Sequence, residues 1–356
     1  MPDVGSERNV LNQNMTGIRE GSQPFPLPQY LQIYPTYHCN QNCTFCFNSH
    51  ARPLKDMLFD RALRLIDSMI QHGTRELDIM GGEPFLLGWM PDFIRKATAK
   101  DIMLNISTNG SCYEPLKRLA QIDPERLNVG VSLEGSTAEK HNRLTRSQNY
   151  EKAVRSIQML VSMGFNPIVK TVVNRFTMDD VPDIVCLLRE LGVRRYYLIH
   201  MDLFSADRPS DKGSLSFLEF LSFYQKAVSQ HADVEIHKVN ASCFDRQSLP
   251  PGIRCAGGVR KLSIMPDGSV YPCNLFQHFP EFNIGNVYTD GFLDIWNNPK
   301  LAYFRRCNGN ICSLSDCVNH ASCTGGCPAH GYFHSKSMNM PDIRCLINRL
   351  GVDSYT

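Results

Sequence analysis

Cys39, Cys43 and Cys46, spaced C-x3-C-x2-C in Cys39-Asn40-Gln41-Asn42-Cys43-Thr44-Phe45-Cys46, are the residues best placed to do chemistry in this sequence. Three thiolates so close together can face one soft metal centre, and they leave a four-coordinate site one ligand short. A second cysteine field follows much later: Cys243, Cys255, Cys273, Cys307, Cys312, Cys317, Cys323, Cys327 and Cys345. An even total of fourteen could be a disulfide framework. At 356 residues and without a signal peptide, metal ligation is the better reading. Cys186 sits in an apolar helical pattern and reads as a buried small hydrophobe, and Cys112 has no further reading.

The elements that must position these thiols alternate in type. Tyr30 to Tyr34, Glu76 to Met80, Ile102 to Ser107, Leu127 to Leu133, Ile168 to Val173 and Tyr196 to His200 read as strands. Helical periodicity lies between them: Leu58, Ala62, Leu65, Ile66, Met69 and Ile70 share one face that stops at Gly73, and Ala153, Ile157 and Leu160 share another. A further face carries Val181, Ile184, Val185, Leu188 and Leu191. Six βα repeats imply an α/β fold with a parallel sheet covered by helices, and the chemistry of such folds sits on loops at the C-terminal strand ends. The cysteine triad follows the first strand directly. Gly81-Gly82-Glu83-Pro84 follows the second, Ser107-Thr108-Asn109-Gly110 ends the third, and Ser132-Leu133-Glu134-Gly135 ends the fourth. The glycines would let backbone approach a ligand closely, and the Glu83 carboxylate could take a charged amine. His200, at the end of the sixth strand, points toward the same face and could meet substrate, while a lone histidine is more often structural.

The triad, with Phe45 before its last cysteine, resembles the signature of the radical S-adenosylmethionine (SAM) enzymes. That resemblance implies a partial (β/α)6 barrel in which Cys39, Cys43 and Cys46 hold a [4Fe-4S] cluster whose fourth iron binds SAM. Gly81, Gly82, Glu83 and Pro84 resemble the family's GGEP motif, which contacts the SAM amino group. Ser132 and Glu134 resemble its Ser-Leu-Asp-Gly element, with Glu in place of Asp. Thr108 and Asn109 at the third strand end, and Phe45 in the triad loop, join the implied SAM contacts. The stretch His141-Asn142-Arg143-Leu144-Thr145-Arg146 resembles a His-Asp-x-x-Arg element with a shifted offset, and Arg146 is the residue implied to reach SAM.

The C-terminal third resembles the SPASM extension of that family, a seven-cysteine pattern around a β-hairpin. Cys255, Gly268 and Cys273 fit it, as do Cys317, Cys323 and Cys327, whereas Cys312 and Cys317 are separated by four residues instead of two. Pro266-Asp267-Gly268 is the expected hairpin turn between Lys261 to Met265 and Ser269 to Tyr271. The resemblance implies two auxiliary [4Fe-4S] clusters, one on Cys255, Cys273 and Cys327, the other on Cys312, Cys317, Cys323 and Cys345. The first lacks a fourth ligand, with Cys243, Cys307 or an open iron as the alternatives. A zinc ribbon is the alternative use of such cysteines. A helix is expected around Phe292 to Arg305. The organisation read from the sequence is a mobile arm over 1–25, a barrel over 26–200, a bridging segment over 201–254 and a SPASM domain over 255–356. Within the bridge, Leu215 to His231 reads as an amphipathic helix and Val234 to Val239 as a strand.

The chain is 42% hydrophobic with net charge +2 and interspersed signs, which points to neither nucleic acid nor a membrane surface as partner. With no apolar targeting run, the cytoplasm is expected. The family resemblance implies reductive cleavage of SAM to methionine and a 5′-deoxyadenosyl radical, which takes hydrogen from an unactivated carbon, and an electron donor such as flavodoxin or ferredoxin. The leading substrate is a peptide or protein, oxidised or cross-linked by a maturase. A small molecule such as a sugar or aminocyclitol, dehydrogenated or epimerised, is the alternative, since the arm before residue 30 is too short for a leader-binding domain. A non-catalytic iron–sulfur or zinc scaffold is a further one.

Overall fold

The computed structural model describes residues 25–49, 54–204, 213–245, 247, 249–307 and 310–347, so the expected mobile arm falls almost wholly outside the described residues. Strands β1 (Tyr30–Ile33), β2 (Glu76–Ile79), β3 (Met103–Thr108), β4 (Leu127–Ser132), β5 (Ile168–Val173) and β6 (Arg195–His200) pair side by side in chain order, all parallel. The helices that return the chain are α1 (Phe59–Gln71), α2 (Met90–Thr98), α3 (Tyr113–Lys117), α4 (Ala138–Thr145), α5 (Tyr150–Ser162) and α6 (Val181–Glu190). The expected bridging segment supplies α7 (Phe217–Gln230), started by a Ser216/Glu219 capping box, and β7 (Glu235–Val239). β7 pairs in parallel with β6, so the barrel sheet runs on into this segment.

The two faces of the sheet differ in chemistry. Leu77, Ile79, Leu104, Ile106, Val129, Val131, Val169, Tyr196 and Leu198 are buried under the helices. The alternating positions line the concave face and remain partly accessible: Asp78, Asn105, Asn128, Lys170 and Tyr197. A polar row crosses that face. Tyr30 Oη donates to Asp78 (2.5 Å), Asn105 Nδ2 to Glu76 (2.6 Å), Asn128 Nδ2 to Asn105 (2.9 Å) and Arg195 Nη1 to Asn128 (3.0 Å). Burial on one face gives the strands their register, because a one-residue slip would carry the apolar set into the lumen.

The C-terminal segment is built onto the other edge. β8 (Ser263–Ile264) joins β1 in parallel, β9 (Ser269–Tyr271) returns antiparallel through a turn with Gly268 at φ +85°, and β10 (Gly285–Asn286) closes a ten-stranded sheet. β1, the strand that leads into the triad, is thus hydrogen-bonded to the expected hairpin. The helix expected around Phe292 to Arg305 is two short ones, α8 (Phe292–Trp296) and α9 (Ala302–Arg305). Pro299 between them lacks the N–H a continuous helix would use, and Asn298 caps the new turn. Two more short helices follow, α10 (Pro328–Ser335) and α11 (Ile343–Leu346).

Two side chains depart from expectation here. Leu58 precedes α1 and is 62% exposed. Cys186 is exposed, because α6 buries Val181, Ile184, Val185 and Leu188 and turns position 186 outward.

Candidate metal and cofactor centre

The cysteine loop is held by backbone on two sides. Asn42 and Thr44 donate N–H bonds to the carbonyls of Thr145 and Leu144 at the end of α4 (3.3 and 2.9 Å), and Cys46 N–H reaches the Cys43 carbonyl (3.2 Å). On the other side, Gly82 N–H donates to Thr36 O (2.9 Å) and Glu83 N–H to His38 O (2.8 Å). A Cβ at Gly82 would lie 2.0 Å from His38 O, and one at Gly81, where φ is +138°, 2.4 Å from Thr36 O. These two positions therefore require glycine because the triad loop crosses directly over them.

Glu83 is fully buried, and its carboxylate accepts from Phe85 N (3.0 Å), Thr108 Oγ1 (2.8 Å) and Asn109 N (2.7 Å). Burial pushes its pKa up to about 7, against those three donors. Asn109 reaches on to the triad, its Nδ2 lying 2.9 Å from Asn40 Oδ1 and 3.8 Å from Cys39 Sγ. Glu83, Thr108 and Asn109 thus tie the second and third strand ends to the first cysteine. Pro84 opens the short turn after Glu83 and is buried.

Glu134 is also buried, accepts from Val172 N (2.9 Å), and is pushed up to about 8 by that burial. Its own N–H donates to His141 Nδ1 (3.0 Å). Glu134 lies near enough to Cys43 that its charge, after burial itself, raises that thiol, and Cys46 and Cys39 add to the rise. Ser132 ends β4 in register with Lys170 of β5. Phe45 packs against Met201, Leu203 and Ile343. Arg146, at φ +48°, follows the carbonyls that hold the triad loop, and its exposed side chain lines a shallow hollow with Arg143. His200 does not meet the site. It is buried, bonded through Nε2 to Leu215 O (3.0 Å) and stacked on Phe220, because it shares the helix-facing parity of Tyr196 and Leu198.

Three thiols that raise one another's ionisation cost fit a cationic centre, which relieves that repulsion and needs them as thiolates. The donor set therefore suits an iron–sulfur cluster held through three cysteines.

The second cysteine field resolves into two groups. Cys243, Cys255, Cys273 and Cys327 are all buried and influence one another. The Cys243 thiol donates to Cys255, which holds Cys255 down to about 6, with further help from Gly257 N–H at 3.4 Å. Cys307 is partly buried, its N–H bonded to Gly252 O at 2.7 Å. Cys243 has no motif partner in the sequence, and only the return of the chain after β7 brings it to Cys255.

Cys312, Cys317, Cys323 and Cys345 line one cavity of about 160 Å³, walled by Phe217 and Phe244. The wider spacing between Cys312 and Cys317 does not separate them. Backbone donors already aim at the sulfurs: Gly325 and Gly326 N–H at Cys323 Sγ (3.2 and 3.3 Å) and Leu314 N–H at Cys312 Sγ (3.5 Å). Such N–H···S contacts stabilise thiolate, so four sulfurs around a small apolar space fit a cluster.

A buried ion-pair network ties these groups to the barrel. Arg344 is bidentate to Asp342 (3.0 and 2.9 Å) and reaches Asp202 Oδ1 (3.0 Å) and Met201 O (3.3 Å) just beyond β6. Asp342 accepts from Cys327 N–H (3.0 Å), and Leu203 N–H donates to His330 Nε2 (2.9 Å). At the other edge, Tyr37 Oη donates to Gln277 (2.5 Å), which donates to Asn48 (2.8 Å), linking the triad loop to the turn after Cys273.

Comparison with known proteins agrees with this organisation. The radical SAM superfamily model matches residues 33–188, and the SPASM model, an iron–sulfur cluster-binding domain, matches residues 255–328. The chain is 27% identical over 329 residues to the mycofactocin maturase MftC of Mycobacterium tuberculosis, covering 87% of this chain and 81% of the relative. It is 24% identical to the antilisterial bacteriocin subtilosin biosynthesis protein AlbA of Bacillus subtilis, covering 78% of this chain and 62% of that protein. Among solved structures, Streptococcus suis SuiB bound to precursor peptide SuiA superposes with a TM-score of 0.72 at 17% identity, over 91% of this chain and 76% of that one. Native anSMEcpe with bound AdoMet gives 0.68 at 18%, over 90% and 94%. No helix among the described residues is long and apolar enough to cross a membrane. With both family models matched, in the order the cysteine groups require, the chain belongs to the radical SAM superfamily with a C-terminal SPASM domain, an iron–sulfur enzyme using a [4Fe-4S] cluster, SAM and auxiliary iron–sulfur clusters.

Proposed function

We propose that the enzyme is a maturase that oxidises or cross-links a carbon centre of a peptide or protein. The observation that carries this reading is the assembly of two further cysteine groups, one of them flanking strands that extend the sheet of the triad loop, which suits a reaction whose product must surrender a second electron. MftC, named a mycofactocin maturase, AlbA, named a bacteriocin biosynthesis protein, and SuiB, solved with a bound precursor peptide, support the substrate class.

In this reading Cys39, Cys43 and Cys46 hold the SAM-binding cluster. Cys243 joins Cys255, Cys273 and Cys327 around one auxiliary cluster, and Cys312, Cys317, Cys323 and Cys345 hold the other. When bound, the cluster and SAM supply a 5′-deoxyadenosyl radical that removes hydrogen from carbon. The protein's part is placement. Glu83 and Asn109 fix the triad loop from one side and the end of α4 from the other, Ser132 and Glu134 present polar groups at the neighbouring strand end, and Arg146 directly follows the α4 end that holds the loop. An electron donor such as flavodoxin or ferredoxin supplies the first electron.

The test is anaerobic reconstitution with iron and sulfide, then SAM, dithionite and a precursor peptide encoded beside the gene. The expected result is 5′-deoxyadenosine together with a peptide lighter by a pair of hydrogens. Abundant 5′-deoxyadenosine with an unchanged peptide, and a changed sugar or aminocyclitol instead, would overturn the substrate assignment. No 5′-deoxyadenosine from cluster-loaded protein would overturn the radical chemistry.

A further inference from the structure

One cation in the barrel lumen is not used by the arrangement described so far. Lys170, on β5, lies on the concave face and is in register with Ser132 on one side and Tyr197 on the other. Its side chain folds across β4 at Gly130, where an added Cβ would lie 2.3 Å from Lys170 Cε and 2.5 Å from Nζ. Gly130 has no positive φ to account for glycine, so the space it leaves is the space the lysine occupies. The ammonium ends 2.8 Å from Ser107 Oγ on β3.

The neighbouring carboxylates are engaged elsewhere. Asp78 accepts from Tyr30 and Gln32, and Glu76 from Asn105. Among the described residues no carboxylate comes within ion-pair distance of Lys170 Nζ, in contrast to Lys100 and Lys140, which pair with Asp67 and Asp180. Burial lowers the Lys170 pKa, with Asp78 opposing. A partly buried ammonium whose bonded partner is a neutral hydroxyl lacks the counter-charge that ordinarily accompanies removal from water. The lumen that holds it is open enough to leave the concave-face residues partly accessible.

We propose that Lys170, steered by Gly130 and Ser107, is the substrate anchor of this enzyme and binds a carboxylate of the substrate inside the lumen beneath the Ser132 strand end. The carboxylate is either the C-terminus of a peptide or an acidic side chain. Nζ donates to one oxygen, and Ser107 Oγ, which accepts from Nζ, still has its own proton to donate to the other. An anchor at this depth fixes which carbon of the substrate stands at the mouth of the barrel. The inference rests on the peptide reading of the previous section, and its test is read by binding.

The experiment uses the reconstituted, SAM-loaded full-length enzyme and four synthetic tetrapeptide pools: free or amidated C-terminus, each with or without Asp and Glu. Retained peptides are quantified by mass spectrometry after rapid filtration. Wild type is expected to retain at least one carboxylate-bearing pool about tenfold or more above the pool with neither carboxylate, the size of a charge-assisted hydrogen bond. The pool retained distinguishes a C-terminal from a side-chain carboxylate. Lys170→Met is expected to abolish the preference and Lys170→Arg to restore part of it. Gly130→Ala, which keeps the amine but fills its place, is expected to act like Lys170→Met. Thermal unfolding and iron content are recorded for every variant, and Gly130→Ala carries the test where Lys170→Met does not fold. A wild type without carboxylate preference, or a preference unchanged in both Lys170→Met and Gly130→Ala, overturns the proposal. Formation of 5′-deoxyadenosine in the same preparations reads the radical chemistry separately, so failure of one leaves the other legible.

Discussion

Replacing Arg344 by Met should be among the most destabilising single changes in the molecule. Arg344 and Asp342 are buried, at 0% and 1% exposure, and Arg344 spans from Asp342 to Asp202 and Met201 O. The side-chain exposure of Asp342 is 0%. Burial alone would raise Asp342, but the Arg344 charge overrides it and holds the carboxyl well below its ordinary range. Methionine keeps much of the volume but leaves that carboxylate buried with two backbone donors, Cys327 N–H and the N–H of residue 344. Breaking a buried pair from one side costs about 3–5 kcal/mol, and the two remaining donors place this case near about 3. The assay is equilibrium urea unfolding under anaerobic, reducing conditions, followed by fluorescence of Trp89 and Trp296, with iron per chain measured in parallel. Arg344→Met should lose auxiliary iron as well, since Cys345 and Cys327 flank the network. The double variant Asp342→Asn/Arg344→Met removes the stranded charge and should be more stable than Arg344→Met alone, a non-additivity expected of direct partners. A single variant within about 1 kcal/mol of wild type, well under the expected range, would refute the reasoning. So would a double variant whose loss equals the sum of the two singles.

Gly82→Ala forces a Cβ to 2.0 Å from His38 O and should displace the triad loop. Iron per chain should fall by one cluster and 5′-deoxyadenosine formation should vanish, while the auxiliary absorbance persists. Cys243→Ala should lower auxiliary iron content, and Cys307→Ala should not; inductively coupled plasma analysis and electron paramagnetic resonance of the reduced protein distinguish them. His200 gives a pH dependence of known sign. Burial, with Arg344 adding, pushes it down to about 3, and among the described residues its Nδ1 has no hydrogen-bond partner. A folded pKa below the unfolded value means stability is fully present above about pH 6.5 and is lost as pH falls, by about 2 kcal/mol at pH 5. The stability difference between wild type and His200→Phe should change by that amount between pH 7.5 and 5; a difference flat with pH would be inconsistent with a neutral buried imidazole.

The fold was legible because two periodicities, 3.6 and 2, are imposed by burial on one side of each element. Ala62, Leu65, Ile66 and Met69 announce α1, and Leu104, Ile106 and Thr108 share one face of β3. The same parity rule settles His200. It stands two residues from Leu198 and four from Tyr196, both buried, so its side chain follows theirs under the helices. Being at a C-terminal strand end was not sufficient to make it a site residue. Parity also separates Lys170 from Val169 and Thr171, and it marks a lysine on the lumen face of a strand otherwise rich in β-branched residues.

What the sequence could not disclose is which backbone crosses which. The reading of Gly81 and Gly82 is a close approach of backbone to a ligand, whereas what approaches them in the structure is the chain at Thr36 and His38, on its way to Cys39. The demand for glycine comes from loop packing, and any cofactor benefits through the cysteines that this packing places. Cys243 is the same problem at longer range. Its alternative, Cys307, is equally consistent with spacing, and the proposal for Cys243 rests on β7 pairing with β6 and the short turn Ser242–Phe244 bringing Cys243 toward Cys255. Spacing motifs encode ligands that share one turn, whereas a ligand delivered by the end of a different strand leaves no local signature. The pairing of β8 with β1 completes the case. A two-residue strand among cysteines carries almost no pattern of its own, yet that pairing joins the hairpin between Cys255 and Cys273 to the strand that leads into the triad. In the proposed reading, the placement of the triad relative to the auxiliary groups is held by backbone hydrogen bonds between β1 and β8, and by Tyr37, Gln277 and Asn48 above them.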